Sequence, residues 1–298
     1  MTGGWTVLGV PIDSIGAPAG GPRVGTELSP EALRRRGIVD RLAGLDAGDV
    51  DTRITGPARD VQTGLVGGAT VATSVAAVRR ATVDVLRTGR RPLVVGGCCT
   101  VLLGALAAAR DELGPVGLAY LDGHLDLYDH LTSPTGEAAD MPVAVLLGIG
   151  QQGLLDAVAP SPVLDVHRLR LLGARDAGEH ADLAPLAAEL DVHVTSPEGI
   201  ASAPVAAGGA AAYALGRGGR FWLHLDVDIL SVDAFPATDY LMPGGLSLDE
   251  LRDLMRPLGS DAALVGVSVG CYNPEKDPDG RCGDALADLL VDVLTRLP

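Results

Sequence analysis

Residues 116–126 read VGLAYLDGHLD and residues 220–228 read RFWLHLDVD. Each is a short apolar run, read as a strand, that ends in closely spaced acids. WTVLGVP (5–11), PLVVGG (92–97), LRLLGA (169–174), DVHVTS (191–196) and AALVGVSVG (262–270) read as further strands. Longer Ala/Leu/Arg segments alternate with them. In LSPEALRRRG (28–37), Ser29, Pro30 and Glu31 give an N-cap, a proline at the first helical position and an early acid. Other helices are expected over about 68–88, 100–112, 182–189, 203–215, 247–256 and 283–296. This alternation predicts an α/β domain, a parallel sheet with helices on both faces and ligands beyond the carboxyl ends of the strands.

The 298 residues are 47% hydrophobic but only 3% aromatic, so the core is expected to be built from Ala, Val and Leu. One domain over 1–298 accommodates that length, and no internal repeat divides it. The formal charge of −15 argues against nucleic acid or an anionic membrane surface as a partner and favours a small cationic or neutral ligand. No signal-peptide pattern or membrane-length apolar run is present, so a cytoplasmic location is expected. Four cysteines, two of them adjacent, do not make a secreted disulfide framework. The Gly/Pro-rich segment 11–22 and the loop 127–141 read as site-lining loops.

The polar clusters fall where the strands end. Asp122, His124 and Asp126 follow one run, and Asp226 and Asp228 follow the other. Carboxylates this close repel unless a cation sits among them, and a divalent metal meets that need. The plainer reading, that Asp-X-Asp pairs only cap turns, carries more weight for Asp226 and Asp228 alone than for the His-containing cluster. His130, His167, His180 and His193 have no such company and read as surface or packing residues, while His224, inside its strand, reads equally as a core or a site group.

These segments together resemble the ureohydrolase family of arginases and agmatinases. GVPIDS (9–14) with LSPEALRRRG resembles the family's N-terminal signature, and GARDAGEH (173–180) its central Arg-Asp segment. DGHLD (122–126) stands for Asp-Ala-His-X-Asp, LDVDILSVDAFPATDYLMPGGLS (225–247) for the long Asp-X-Asp…Pro-Gly-Gly-Leu motif, and YNP (272–274) for the late Asn-Pro. The resemblance implies a three-layer α/β/α sandwich around an eight-stranded, mainly parallel sheet, and a homo-oligomer, trimer or hexamer. It also implies two manganese ions: Asp122 and Asp226 bridge them, His124 and Asp228 complete one site, and Asp126 with Cys99 completes the other.

The departures from the family pattern concern the same residues. GGCCT (96–100) replaces Gly-Gly-Asp/Glu-His-Ser, so Cys99 stands where the family has a metal-binding histidine. A thiolate shifts preference from manganese towards zinc or iron, or else leaves that site weakly filled. A vicinal disulfide or an inert Cys98–Cys99 pair is the competing reading. Cys271 occupies the place of a substrate-binding Glu, Ala139 that of a proton-shuttling His, and an Asp that holds the substrate amine is lost in the stretch from Asp176 to Glu179. Solvent, Asp140, His130 or the substrate itself is the expected substitute acid. Tyr128, Thr135, Tyr240 and Cys271 are the expected substrate contacts, and His124 and Asp126 the expected catalytic pair. The function implied is metal-dependent hydrolysis of a C–N bond in a small amidine, guanidine-like or amide substrate through activated water, and not ordinary arginase activity. A mononuclear deacylase-like hydrolase using Asp122, His124 and Asp228 is one alternative. A non-catalytic relative acting as a binding or oligomerisation protein is the other.

Overall fold

The computed structural model describes residues 3–13, 25–52, 54, 58–176 and 183–295. Most of the Gly/Pro-rich segment 11–22, together with Glu179 and His180, lies outside them. Eight strands form one sheet: β1 (Trp5–Val10), β2 (Leu45–Asp49), β3 (Arg91–Gly96), β4 (Val116–Leu121), β5 (Leu169–Leu172), β6 (Val194–Thr195), β7 (Arg220–Asp226) and β8 (Leu264–Gly270). Their spatial order is β2-β1-β3-β8-β7-β4-β5-β6, and every registered pair is parallel.

The inner strands β3, β4, β7 and β8 are apolar runs buried on both faces, as a sheet covered by helices requires. Helices Ala69–Arg87, Val101–Leu113 and Gln152–Val158 pack together, as do Pro204–Arg217, Leu248–Gly259 and Arg281–Leu294. The helix Val101–Leu113 is buried from Val101 to Ala109, and its alanines let it lie close against the sheet.

Two edge strands depart from the sequence reading. β2 is LDAGD, exposed along its length, with no apolar alternation to reveal it. It is held by pairing with β1 and by Arg34, whose guanidinium reaches Asp46 at 2.9 Å and Asp49 at 2.5 Å. The expected strand over 191–196 shortens to Val194–Thr195 because Asp191 turns the chain with φ 58°. No described helix is long and apolar enough to cross a membrane.

Candidate metal centre

The centre lies beyond the carboxyl ends of four neighbouring strands, β3, β8, β7 and β4. Chain order jumps from β3 to β4 while β8 and β7 fill the space between, which makes a crevice at the point where the winding reverses. The two-residue spacing of the acids has a local cause. His124 donates its backbone N–H to Asp122 Oδ1 (2.7 Å), and Asp228 donates its own to Asp226 Oδ1 (2.8 Å). Asp228 Oδ1 in turn accepts from Gly123 N–H (3.0 Å). Each aspartate thus spends one oxygen on capping a turn and leaves the other facing the centre, so the turn-capping reading does not exclude the metal-ligand one.

The free oxygens meet the remaining donors. Asp228 Oδ2 lies 2.9 Å from His124 Nδ1. The Cys99 thiol lies 2.7 Å from Asp226 Oδ2 and 3.7 Å from Asp122 Oδ2. Cys99 owes its position to Gly97, where a Cβ would stand 1.5 Å from the Ile12 carbonyl oxygen. Only glycine lets β3 turn so close to the end of β1. Cys98 turns elsewhere, its Sγ 3.4 Å from Thr100 Oγ1, and no disulfide joins the pair. Cys271 donates its N–H to the Gly97 carbonyl (2.6 Å) and holds φ 65°. Its Sγ is 3.7 Å from that of Cys99.

Asp126 is placed differently. It also has positive φ (49°), its backbone carbonyl accepts from Val143 and Ala144 at the start of helix Pro142–Leu146, and its Oδ2 accepts from the Tyr120 hydroxyl. It faces the cavity but joins none of the sets of three donors that lie within 4.8 Å of one another. Those sets are Asp122/His124/Asp228, Cys99/Asp226/Cys271 and Cys99/Asp122/His224. His224 is fully buried, stacked on Tyr120 with ring centroids 5.0 Å apart, and its Nδ1 meets Ser268 Oγ at 2.7 Å. Burial holds its pKa down to about 3, so the ring is neutral.

Burial raises the Asp122 carboxyl to about 6 and, with help from neighbouring carboxylates, pushes Asp126 and Asp226 well above the usual range. Burial also opposes ionisation of Asp228, but the His124 imidazolium outweighs it and holds this carboxyl low. Among the described residues, no lysine or arginine forms an ion pair with Asp122, Asp126 or Asp226. Arg175 instead donates to the Asp228 backbone carbonyl (2.6 Å). Buried oxygen, nitrogen and sulfur donors that lack a counter-cation fit a divalent metal.

A cavity of about 280 Å³ opens over the centre. His124, Asp126, Asp226, Asp228 and Cys271 contribute to it, and the expected contacts Tyr128, Thr135 and Tyr240 stand in its wall. So do Ala139 and Asp140, whereas His130 does not. Asp140 accepts from Ser133 Oγ (2.7 Å) and Thr135 Oγ1 (3.1 Å), and burial raises its pKa to about 7. Glu137 was not expected: it lines the cavity, 5% exposed, and accepts a hydrogen bond from the Tyr240 hydroxyl. Its only sequence signal was its place in the loop 127–141.

Comparison with known proteins agrees with this architecture. The profile described as "Arginase family" matches residues 4–295. The arginase of Bacillus caldovelox is 26% identical over 297 residues, 96% of each chain, and that of Brevibacillus brevis is 29% identical over 181 residues, 59% of each chain. The native structure of Bacillus caldovelox arginase superposes with a TM-score of 0.89 at 23% identity, covering 98% of both chains. The chain belongs to the arginase family, a family of metal-dependent C–N hydrolases.

Proposed function

We propose that this chain hydrolyses a C–N bond of a small amidine, guanidine-like or amide substrate at a two-metal centre, and that it is not an ordinary arginase. The observation that supports it most is the convergence of Asp122, His124, Asp226, Asp228 and Cys99 beneath the cavity. Asp122, which groups both with His124 and Asp228 and with Cys99, and Asp226, which groups with Cys99 and Cys271, would be the carboxylates that hold both ions. His124 and Asp228 complete one side, and Cys99 belongs to the other. Metal ions bound here, manganese on the His124 side and zinc or iron where Cys99 stands, would supply a water whose pKa is lowered to ~7 and would polarise the carbon under attack.

The chain's own residues supply the rest. Asp126 stands beside the donors with one oxygen held by Tyr120, so the other orients the attacking water and takes its proton. This assigns Asp126 to proton handling rather than to a metal. Asp140, protonated up to about pH 7, is the acid nearest the place of the family's histidine, which is Ala139 here. Tyr128, Thr135 and Tyr240 shape the cavity wall and contact the substrate. With Cys271 in place of the family's carboxylate, the bidentate partner a planar guanidinium prefers is missing at that position. A homo-oligomer, trimer or hexamer, in the cytoplasm completes the reading.

The test is turnover by the metal-loaded full chain on arginine, agmatine, formimidoyl and acylated amines, with ammonia, urea or free amine as readout. Hydrolysis of a non-arginine member by at least ~10-fold over arginine in kcat/KM supports the proposal. Arginine as the preferred substrate overturns the second half of it. No turnover of any substrate by a folded chain carrying its metals favours the non-catalytic relative.

A further inference from the structure

The thiols of Cys99 and Cys271 come from different strands, β3 and β8, yet their sulfurs are 3.7 Å apart and both side chains are buried. Two thiolates bound at ~2.3 Å to one tetrahedral ion lie ~3.8 Å from each other, so the observed spacing is the one such an ion imposes. It is too long for the ~2.05 Å bond of a disulfide. Asp226 Oδ2 (2.7 Å from Cys99 Sγ) and Asp122 Oδ2 (3.7 Å) are the carboxylate donors nearest Cys99, and a ring nitrogen of His224 lies within 4.8 Å. Cys271 also holds φ 65°, a conformation that costs a non-glycine residue energy and persists only where the surroundings enforce it. Here the Gly97 carbonyl clamps the Cys271 N–H, and the thiol is thereby turned towards Cys99.

We propose that Cys271 is a metal ligand, and that Cys99, Cys271, Asp226 and Asp122 form a two-thiolate, two-carboxylate site that selects zinc over manganese. This rests on the metal-centre reading and sharpens it: the centre carries two unlike ions, a soft-ligand zinc beside a manganese held by His124 and Asp228. Thiolate donors favour zinc, whereas carboxylate and imidazole donors accept manganese. On loading, two S–H bonds break and two metal–sulfur bonds form, and both protons leave to solvent. Cys99, Cys271 and Asp226 lie within 4.8 Å of one another, Asp122 adds a fourth donor 3.7 Å from Cys99, and Asp126 stands outside every such group.

The experiment uses the full chain, stripped with chelator under reducing conditions and titrated with cobalt(II) as a spectroscopic stand-in for zinc. The near-ultraviolet thiolate-to-cobalt band should appear, fall by about half in Cys271→Ser and in Cys99→Ser, and stay at wild-type intensity in Cys98→Ser. Zinc should displace that band at concentrations at least ~10²-fold lower than manganese requires. X-ray absorption of the wild type loaded with one equivalent of zinc, which needs no variant to fold, should count two sulfur neighbours at ~2.3 Å. A band unchanged by Cys271→Ser, or a single sulfur neighbour, overturns the role of Cys271. Cobalt bound with no sulfur band overturns the thiolate site while leaving a metal centre. No cobalt bound at all overturns both this proposal and the metal-dependent reading.

Discussion

On the side of the centre built by β4 and β7, an imidazole meets Asp122 and Asp228; on the side built by β3 and β8, two thiols meet Asp226. The first side has donors typical of a hard ion, and its imidazole already neutralises Asp228. The second side has donors that are protonated when empty: burial raises the Cys99 thiol well above its ordinary value. The difference teaches that one scaffold can hold two electrostatic problems side by side. A proton solves one when metal is absent, and an imidazolium solves the other.

The sharpest way to break this comparison is to remove what both sides share. Asp122→Ala should cost more than ~10²-fold in metal affinity on both sides, and elemental analysis should find fewer than one metal per chain. Asp228→Ala should empty only the imidazole side. Equal losses in the two variants would mean that the halves are not separable.

Exchanging the donor is the next largest change. Cys99→His should raise the manganese-to-zinc ratio of protein grown in both metals by roughly tenfold, read by the same analysis. An unchanged ratio would remove Cys99 from the ligand set.

A smaller effect concerns Asp140, on the imidazole side of the cavity. Its carboxyl titrates at about 7 in the fold, against 3.8 ordinarily. Between those values the folded chain binds more protons than the unfolded one, so this group lowers stability as pH rises from about 4 to about 7. Asp140→Asn should therefore stabilise the protein by about 1–3 kcal/mol at pH 8 and by little at pH 4, measured by urea unfolding at fixed metal load. A gain independent of pH would exclude the carboxyl as its source. Smallest of all, Cys271→Gly should relieve the backbone at φ 65° and add up to ~1 kcal/mol to the stability of the metal-free chain while the sulfur band halves.

The elements that carry these effects were the ones written most plainly in the sequence. β3, β4, β7 and β8 are buried on both faces, so they appear as unbroken apolar runs, and their polar ends stand out by contrast. β2 could not be read that way, because LDAGD is held by backbone pairing and by Arg34 rather than by apolar burial. Within the site, Asp122, His124, Asp226 and Asp228 announced themselves by spacing. Glu137 did not, since an acid in a polar loop looks solvated until the fold turns it inward against Tyr240. The place of His224 depends on the register that puts it beside Tyr120 and Ser268, which a single strand's pattern does not contain.

The thiols of Cys99 and Cys271 are 172 residues apart along the chain and neighbours in space. The strands that carry the donors are made in the order β3, β4, β7, β8, but stand in the order β3, β8, β7, β4. During synthesis, the last strand to emerge from the ribosome must slip between earlier ones before both sulfurs can meet. Until then, a chain carrying Asp122 and His124 has only part of its centre. If the centre holds the two ions proposed, capture of the second would report that the sheet has closed, and a nascent or truncated chain lacking β8 would be left without it.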